Sequence, residues 1–210
     1  MAIRIGTTAV LSHGNVTYLN SNNPFTWAVW LRKVRAANLS EDLFTTLHKG
    51  VNAYIYNSSN ATPNGLATFD GSGSELRVTA ASVITQEFRH LAGRHVGAGT
   101  VQAFLVDGLL VAVTGVEQTY VDQTTNQLRW VGHANTELEV ASLKFWSVAL
   151  SDQEIAQERL SFRPVRTSDL LLWVPYDDDI QARDYSGGGF HGTATGTIEQ
   201  VPGPPVSYGG

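Results

Sequence analysis

Apolar and polar residues alternate along most of this chain. The segment FTWAVWLRKV, residues 25–34, places alternate apolar side chains on one face: Phe25, Trp27, Val29 and Leu31. A period of two residues is typical of a β-strand, whose side chains point alternately to opposite faces of a sheet. Further strands are predicted for residues 52–57, 74–81, 100–108, 109–115, 127–133, 138–146 and 169–176.

Turn sequences separate these predicted strands. The clearest is Asp107-Gly108, which lies between two apolar runs and is typical of a two-residue hairpin. Further turns are predicted at PNG, residues 63–65, and at DGSGS, residues 70–74. Short strands at this spacing predict an all-β fold, an antiparallel sandwich of two sheets of the jelly-roll type.

One segment departs from the period of two. In SDQEIAQERL, residues 151–160, Ser151 precedes Glu154 by three positions, which is the spacing of a capping box at a helix N-terminus. We therefore predict one short helix near 151–160. Ile155 and Leu160 are expected to face inward, and the side that faces water is expected to carry Gln153, Gln157 and Glu158.

The length of 210 residues suits one domain. We predict a single jelly-roll domain over 1–200 and an arm over 201–210, because VPGPPVSYGG holds three prolines and three glycines. Proline cannot donate the backbone hydrogen bond that a central strand requires. The arm is expected to be extended, in a position to lie on a neighbouring molecule.

Composition excludes several classes of function. The net charge is −5 and the basic cluster is small (Arg32, Lys33 and Arg35), so no nucleic-acid partner is expected. No apolar run approaches the roughly 20 residues of a membrane span, and no signal segment is evident. Cysteine is absent, which excludes disulfides and thiolate metal sites. Only 16 % of residues are charged, against about 25 % on average, which favours a partly covered surface.

The order of several segments resembles the laminin-G-like, concanavalin-A-like jelly-roll family. The similar segments are FTWAVWLR, TLHKG, EFRHLAGRHVGAGTVQAFLVDGLLVA and LEVASLKFWSVALSDQEI. In that family a late strand leads into Ala-Leu-Ser-x-x-Glu-Ile and a short helix, which corresponds here to residues 149–155. The resemblance spans residues 16–200 and implies the fold. It leaves function open, because this fold serves lectins, glycosidases, adhesion modules and virus structural proteins.

A second family motif is found late in the chain. LLLWVPYDDDIQARDYSGGGFHGTA is similar to the family's Asp-x-Ser-Gly-Asn-Gly block, with matches at Asp177, Asp184, Ser186, Gly187, Gly189, His191 and Gly192. In many relatives this block comes first, so the resemblance implies a permuted order. Since the ends of such a domain are adjacent, either order closes the same sheets.

Glu137 and Glu139 are the candidate catalytic pair. Residues i and i+2 of a strand share a face about 6.5–7 Å apart, and the carboxyl groups of a retaining glycosidase lie about 5–5.5 Å apart. The resemblance argues against this chemistry, because jelly-roll glucanases place a third acid on this strand and the chain has Ala141 and Ser142. We predict no catalytic residue and no enzyme activity, with Leu138 and Val140 in the core.

The family resemblance also suggests a candidate calcium site. Relatives bind Ca²⁺ through loop oxygens, which makes Asp177 and Asp184 the candidate ligands, although no cofactor is required. In the alternative, Asp184 and Ser186 hydrogen-bond the turn while its glycines adopt positive φ. The histidines lack the spacing of a zinc helix, and structural roles are expected for His13, His48, His90, His95, His133 and His191.

Exposed aromatic rings beside amides are typical of sugar-binding sites. Tyr54, Tyr56 and Asn57, with Asn60 on the following loop, form the candidate glycan site. The alternative is that a tyrosine packs across the sheet and the loop is merely polar.

Two functions stay open. The first is a structural or decoration protein of a larger assembly, a bacteriophage virion (capsid decoration, fibre or tail). It would lie at the virion surface, be made in the host cytoplasm without a signal peptide, contact other virion proteins or copies of itself, and bind host glycans weakly. The second is a free carbohydrate-binding lectin, and a glycoside hydrolase is a distant third.

Overall fold

The structure is a computed structural model in which two antiparallel β-sheets pack face to face. It describes residues 1–20, 23–34, 46–49, 52–57, 66–69, 75–78, 83–97, 103–115, 126–132, 137–177 and 182–206. The predicted all-β jelly-roll sandwich with one helix is confirmed.

The described strands are short and run through the whole chain. In chain order they are β1 (Ala2–Ile5), β2 (Val10–Ser12), β3 (Phe25–Lys33), β4 (Thr46–Lys49), β5 (Asn52–Asn57), β6 (Leu66–Phe69), β7 (Glu75–Val78), β8 (Arg89–His95), β9 (Ala103–Val106), β10 (Leu109–Val111), β11 (Val113–Gly115), β12 (Leu128–Val131), β13 (Leu138–Trp146), β14 (Leu170–Val174), β15 (Thr193–Thr195) and β16 (Ile198–Val201). The helices are α1 (Asp152–Glu158) and a short 3₁₀ turn (Thr17–Asn20).

The strands of the described residues divide into two sheets of eight. Sheet 1 has the order β10-β9-β8-β3-β13-β1-β16, with β14 paired to the second half of β13. Sheet 2 has the order β11-β7-β6-β5-β4-β12-β2-β15. The main core lies between the sheets and is built on large side chains from both, which include Trp27, Phe104, Phe145 and Trp130.

The outer face of sheet 1 is also covered, by α1 and the segment that follows it. Trp146, Leu150 and Ile155 form one apolar cluster there, and Trp30, Ala141 and Phe162 form a second. As a result β3 and β13 are buried on both faces, and the face of β3 that carries Ala28 and Trp30 is covered as well. A ligand site on sheet 1 is therefore confined to its edges and loops.

The helix is capped as predicted, but the predicted assignment of its faces is partly wrong. Ser151 accepts from the Glu154 backbone N–H, and the Glu154 side chain accepts from the Ser151 N–H. Ile155 is buried as expected. Leu160, however, is 65 % exposed and Glu158 is 1 % exposed, because α1 ends at Glu158 and that carboxylate turns inward onto Lys144 of sheet 1.

A bulge in β13 reverses the alternation of its side chains. Leu138 and Val140 face the main core as predicted, and after Ser142 the core residues are Leu143 and Phe145. Ser142 has φ of +50°, and its hydroxyl donates to the Phe162 carbonyl at 2.7 Å. The bulge thereby turns Lys144 onto the outer face.

The Asp107-Gly108 hairpin is confirmed, with β9 pairing to β10 across it. Both turn residues have positive φ, +51° and +79°, which is the geometry that matches the twist of antiparallel strands. The segment 109–115, predicted as one strand, is divided at Ala112: β10 stays in sheet 1 and β11 pairs with β7 in sheet 2.

The two ends of the described chain meet in the same sheet. β16 pairs antiparallel with β1, with Val201 opposite Ala2. Beyond it, a Cβ at Gly203 would lie 2.5 Å from the Met1 carbonyl oxygen, and Val206 packs against the outer cluster of sheet 1. The arm thus lies on its own chain as far as residue 206. The division into a 1–200 domain and a 201–210 arm stays a prediction.

Candidate functional site

The predicted glycan residues lie on sheet 2. Tyr54, Tyr56 and Asn57 belong to β5, where Tyr56 is opposite Ala67 and Asn57 is opposite Leu66 of β6. Asn60 lies outside the described residues. The pairing of β5 with both of its neighbours is irregular near position 54, so β5 is not an uninterrupted flat strand. The site itself stays a prediction.

Glu139, the more central of the two candidate acids, is held by two arginines. It lies directly opposite Arg4 of β1 and Arg32 of β3. Oε1 accepts from Arg4 Nη2 at 2.8 Å and from its Nε at 3.1 Å, and Oε2 accepts from Arg32 Nε at 2.5 Å. The carboxylate is 2 % exposed, so both oxygens are occupied and shielded from a substrate.

Glu137 lies beside the same group, just before β13 begins. It is half-buried and lines a polar cleft of about 220 Å³ with Arg4, Glu199 and three threonines (Thr7, Thr8 and Thr197). Arg4 also reaches Glu199, at 3.4 Å. The two glutamates of the sequence pair are thus parts of one charge network centred on Arg4.

Asp184 organises the late glycine-rich loop. Its Oδ1 accepts from the backbone N–H groups of Trp173 and Ser186, at 3.1 and 2.8 Å. Its Oδ2 accepts from the Ser186 hydroxyl and the Phe190 N–H, both at 3.0 Å. Gly187 and Gly189 have positive φ, as the turn interpretation expects. The carboxylate, with its residue 5 % exposed, therefore connects the loop to β14.

Replacing Asp184 with alanine is expected to destabilise the protein by about 3 kcal/mol, since it removes the acceptor for four donors in a buried setting. Asp184→Asn keeps one accepting oxygen and should cost less. Urea unfolding of both variants measures this difference. Equal stability of all three proteins would contradict the role assigned to this carboxylate.

Calcium stays a prediction for Asp177 and Asp184. Among the described residues no group of three or more His, Asp or Glu side chains is placed to hold a metal ion. Asp177 accepts on its carbonyl oxygen from Gln200 Nε2 at 2.9 Å. The Asp184 oxygens already accept four hydrogen bonds. We therefore expect Tm in millimolar calcium to equal Tm in chelator to within about 1 °C. A calcium-dependent rise that Asp177→Asn abolishes would reverse this expectation.

Three buried polar side chains form a chain across the main core. Trp130 Nε1 donates to the Tyr176 hydroxyl at 3.0 Å, and that hydroxyl lies 2.8 Å from His13 Nε2. Burial lowers the pKa of His13 to about 4 and raises the pKa of Tyr176. His90, on β8, is also buried, and burial lowers its pKa to about 3. The structural roles predicted for these histidines agree with these positions.

An aromatic cluster at the edge of sheet 1 was not among the predicted site residues. It comprises Trp173 of β14 and, from the loop before Ser186, Arg183 and Tyr185. The ring centroids of Trp173 and Tyr185 are 5.7 Å apart with an interplanar angle of 50°. The Arg183 guanidinium lies 5.5 Å from the centre of the Tyr185 ring. The motif of residues 170–192 also holds Tyr176 and Phe190, so its sequence gives no local signal that singles out Trp173 and Tyr185.

Comparison with known families identifies the fold independently. Residues 6–156 match a family model described as the concanavalin A-like lectin/glucanases superfamily. The matched segment ends inside α1, so β14 and the glycine-rich loop lie beyond it. No curated protein matches the sequence significantly.

Solved structures of the same architecture include lectin-like binding domains. One is a candidate carbohydrate-binding protein from Bacteroides ovatus ATCC 8483, with TM-score 0.68, 16 % identity, and 97 % of this chain and 60 % of that chain covered. Another is botulinum neurotoxin type C, whose cell entry depends on interaction with two ganglioside molecules (TM-score 0.57, 11 % identity, 76 % and 42 % covered).

A third is the binding domain of botulinum neurotoxin DC in complex with rat synaptotagmin II (TM-score 0.57, 11 % identity, 76 % and 42 % covered). At such identities the likeness concerns the fold. The chain spans between two fifths and two thirds of the length of these three proteins. Among the described residues, no helix is long and apolar enough to span a membrane.

Proposed function

Because this chain belongs to the concanavalin A-like lectin/glucanase superfamily, we propose that it is a carbohydrate-binding domain that performs no catalysis. The superfamily includes both binding proteins and hydrolases, so the residues of this chain must decide between them. Its similarity to a candidate carbohydrate-binding protein and to a ganglioside-dependent toxin supports the binding alternative.

The occupied carboxylate of Glu139 is the observation that carries the proposal. A retaining glycosidase needs one carboxyl group free to attack the sugar and a second free to exchange a proton. Glu139 instead forms ion pairs through both oxygens, and Ala141 and Ser142 of the same strand provide no further acid. The strand position that could support hydrolysis therefore stabilises the contact of β13 with β1 and β3.

Binding is tested with a panel of immobilised oligosaccharides that includes neutral, amino-sugar and carboxylate-bearing probes. The expected result is retention on at least one class, without release of reducing sugar from it. A protein that binds none of these classes would overturn the proposed function.

The Glu139→Gln variant separates catalysis from structure. We expect it to lose about 1.5–3 kcal/mol of stability, because charge-assisted hydrogen bonds from two arginines are weakened, and to bind glycans as the wild type does. Glu137→Gln, at a half-buried neighbouring position, is the matched control and should change stability less. Hydrolysis by the wild type that Glu139→Gln abolishes would revive the glycosidase alternative.

Exposed leucines favour, as a second candidate function, contact with a neighbouring protein. Leu109 and Leu110 of β10, at the end of sheet 1 in its described order, are 72 % and 59 % exposed. Apolar side chains on an edge strand are a surface that assembly would cover. They support the prediction of a structural protein in a larger particle. The bacteriophage virion, its surface location and other virion proteins as partners stay predictions.

Gradient sedimentation of the untagged protein from its native source tests the assembly role. Sedimentation with megadalton particles is the result expected of a virion component. Sedimentation near 22.8 kDa, or as a small oligomer, would reject it and leave the free carbohydrate-binding protein.

A further inference from the structure

Trp173 is the tryptophan most open to a ligand. It stands on β14 between Leu172 and Val174, which are fully buried in the main core, so its ring lies on the outer face of sheet 1. Its side chain is half-buried, whereas four tryptophans are at most 8 % exposed: Trp27, Trp30, Trp130 and Trp146. The Trp173 indole N–H is buried and has no acceptor among the described residues.

The backbone fixes Tyr185 beside this ring. The Tyr185 N–H donates to the Trp173 carbonyl at 2.9 Å, and the Trp173 N–H donates to Asp184 at 3.1 Å. Asp184 in turn accepts from Ser186 and Phe190, so the loop holds its shape through contacts within the protein. The Tyr185 side chain is nevertheless 44 % exposed. Its ring is therefore positioned by a rigid loop but presented to solvent.

Arg183 adds hydrogen-bond donors over the Tyr185 ring. It is exposed, its guanidinium lies 5.5 Å from the Tyr185 ring centre, and within the described part of the chain it forms no ion pair. Stacking against an aromatic ring orients a guanidinium and leaves its N–H groups available to oxygen acceptors. The nearest acid in sequence, Asp184, is buried and occupied by other donors.

We propose that Trp173, Arg183 and Tyr185 form the carbohydrate-binding site, at which a pyranose ring stacks its C–H face on Tyr185 beside Trp173. The hydroxyl or carboxylate oxygens of that sugar accept hydrogen bonds from Arg183. This inference rests on the proposed function and assigns it to the edge of sheet 1 rather than to Tyr54 and Tyr56 of sheet 2. The aromatic rings supply an apolar surface, and the hydrogen bonds from the guanidinium fix the orientation of the sugar.

The size of the group favours a sugar over a protein partner. A specific protein interface buries about 800 Å² on each side, whereas this cluster offers one exposed ring, one half-buried ring and one cation. A single sugar unit covers an area of that kind. Since the loop is already held by Asp184, little ordering is needed on binding, which reduces the entropic cost of a weak contact.

Three variants test the site with the probe that the panel retains best. Tyr185→Ala removes the stacking surface, and binding by calorimetry is expected to weaken about tenfold or more. Arg183→Gln should weaken the binding of carboxylate-bearing probes more than that of neutral probes, because it removes the charge but keeps an amide donor. Trp173→Phe should abolish any change of tryptophan fluorescence on adding the probe, since the remaining tryptophans are buried.

Two control variants test whether the loss of binding is specific to this site. Phe88 carries the Arg32 guanidinium 4.6 Å above its ring, so Phe88→Ala removes a similar aromatic–arginine pair elsewhere. Tyr56→Ala removes an aromatic from β5. Both should bind as the wild type does, and the thermal stability of every variant is measured alongside.

The outcomes separate this inference from the proposed function. Loss of binding in Tyr185→Ala and Arg183→Gln, with normal Tm and normal binding by both controls, supports the assignment. Normal binding by those two variants, or loss confined to Tyr56→Ala, overturns the assignment and leaves carbohydrate binding in place. A wild-type protein that binds no probe rejects the proposed function itself.

Discussion

Replacing Lys144 with methionine is expected to lower the free energy of unfolding by about 3–5 kcal/mol, the range for breaking a buried ion pair by removing one partner. Lys144 Nζ lies 2.7 Å from Glu158 Oε2, and the two side chains are 2 % and 1 % exposed. Methionine has a similar volume but leaves the Glu158 carboxylate buried without its cation. For a chain of this length the fall in Tm should be about 10 °C.

The reason for so large an effect is the number of groups that share this pair. Nζ also donates to the carbonyl oxygens of Ser161 and Arg163, at 2.9 and 3.2 Å. Glu158 Oε1 accepts from the backbone N–H groups of Val165 and Arg166, both at 2.8 Å. The pair therefore fixes the segment after α1 onto the outer face of sheet 1. Burial lowers the pKa of Lys144, and Glu158 opposes that shift.

A double-mutant cycle with Glu158→Gln isolates the pairwise energy. The double variant is expected to be more stable than the sum of the two single effects predicts, because neither then leaves an isolated buried charge. Asp152→Asn is the matched control on the same helix: its partner Arg94 is in a surface ion pair, which is worth less than about 1 kcal/mol. Additive single effects, or a Lys144→Met change no larger than that of Asp152→Asn, would refute the proposed role of the pair.

The period of two was sufficient to predict the sandwich. It did not predict that α1 and the segment after it cover the outer face of sheet 1. The helix was predicted from Ser151 and Glu154, because a capping box is a local signal. Its inward face was assigned from its own sequence alone, so the burial of Glu158 was missed. That burial depends on Lys144, 14 residues earlier, which the bulge turns to the outer face.

The bulge had a readable signal. In LEVASLKFW the core positions are 138, 140, 143 and 145, and the step of three between 140 and 143 shows that the alternation is interrupted. What stabilises it, the hydrogen bond from Ser142 to the Phe162 carbonyl, is a contact between distant segments and could not be predicted.

The candidate site was predicted less well than the fold, for a related reason. DLLLWVPY is apolar throughout, so nothing local distinguishes the half-buried Trp173 from its core neighbours Leu172 and Val174. Exposure at that position follows from the place of β14 at the edge of sheet 1 and from the segments packed on that sheet. For Asp184 the turn role was the alternative to calcium binding, and it could be read from the sequence because Asp-x-Ser-Gly hydrogen bonds are local.

Acidification from pH 7 to pH 5 is expected to destabilise the protein by about 4 kcal/mol, about 2 kcal/mol from each of two buried histidines. Burial lowers the pKa of His13 to about 4 and that of His90 to about 3. In the unfolded chain both have a pKa of about 6.5. Between these values the unfolded state binds more protons, so stability is full above pH 6.5 and falls as the pH falls.

The surroundings of each ring support this direction. His13 Nε2 forms a hydrogen bond with the Tyr176 hydroxyl, and the nearby carboxylate of Asp184 opposes the lowering of the His13 pKa. His90 packs its ring against Trp30 and feels the positive charges of Lys144 and Arg159, which lower its pKa further. Below about pH 4.5 a separate loss begins at Glu154, whose pKa is lowered to about 2 by hydrogen bonds from Ser151 and Arg166.

Urea unfolding at pH 7, 6 and 5, at constant ionic strength, measures the slope. His13→Gln and His90→Gln should each remove about 2 kcal/mol of the fall between pH 7 and 5, and the double variant should remove both contributions. Each variant is compared with its own value at pH 7, because Gln also disturbs the hydrogen bond to Tyr176 or the contact with Trp30. If the wild type has equal stability at pH 7 and 5, protons reach these rings in the folded protein. The sealed core between the sheets would then be open to water at the position of His13.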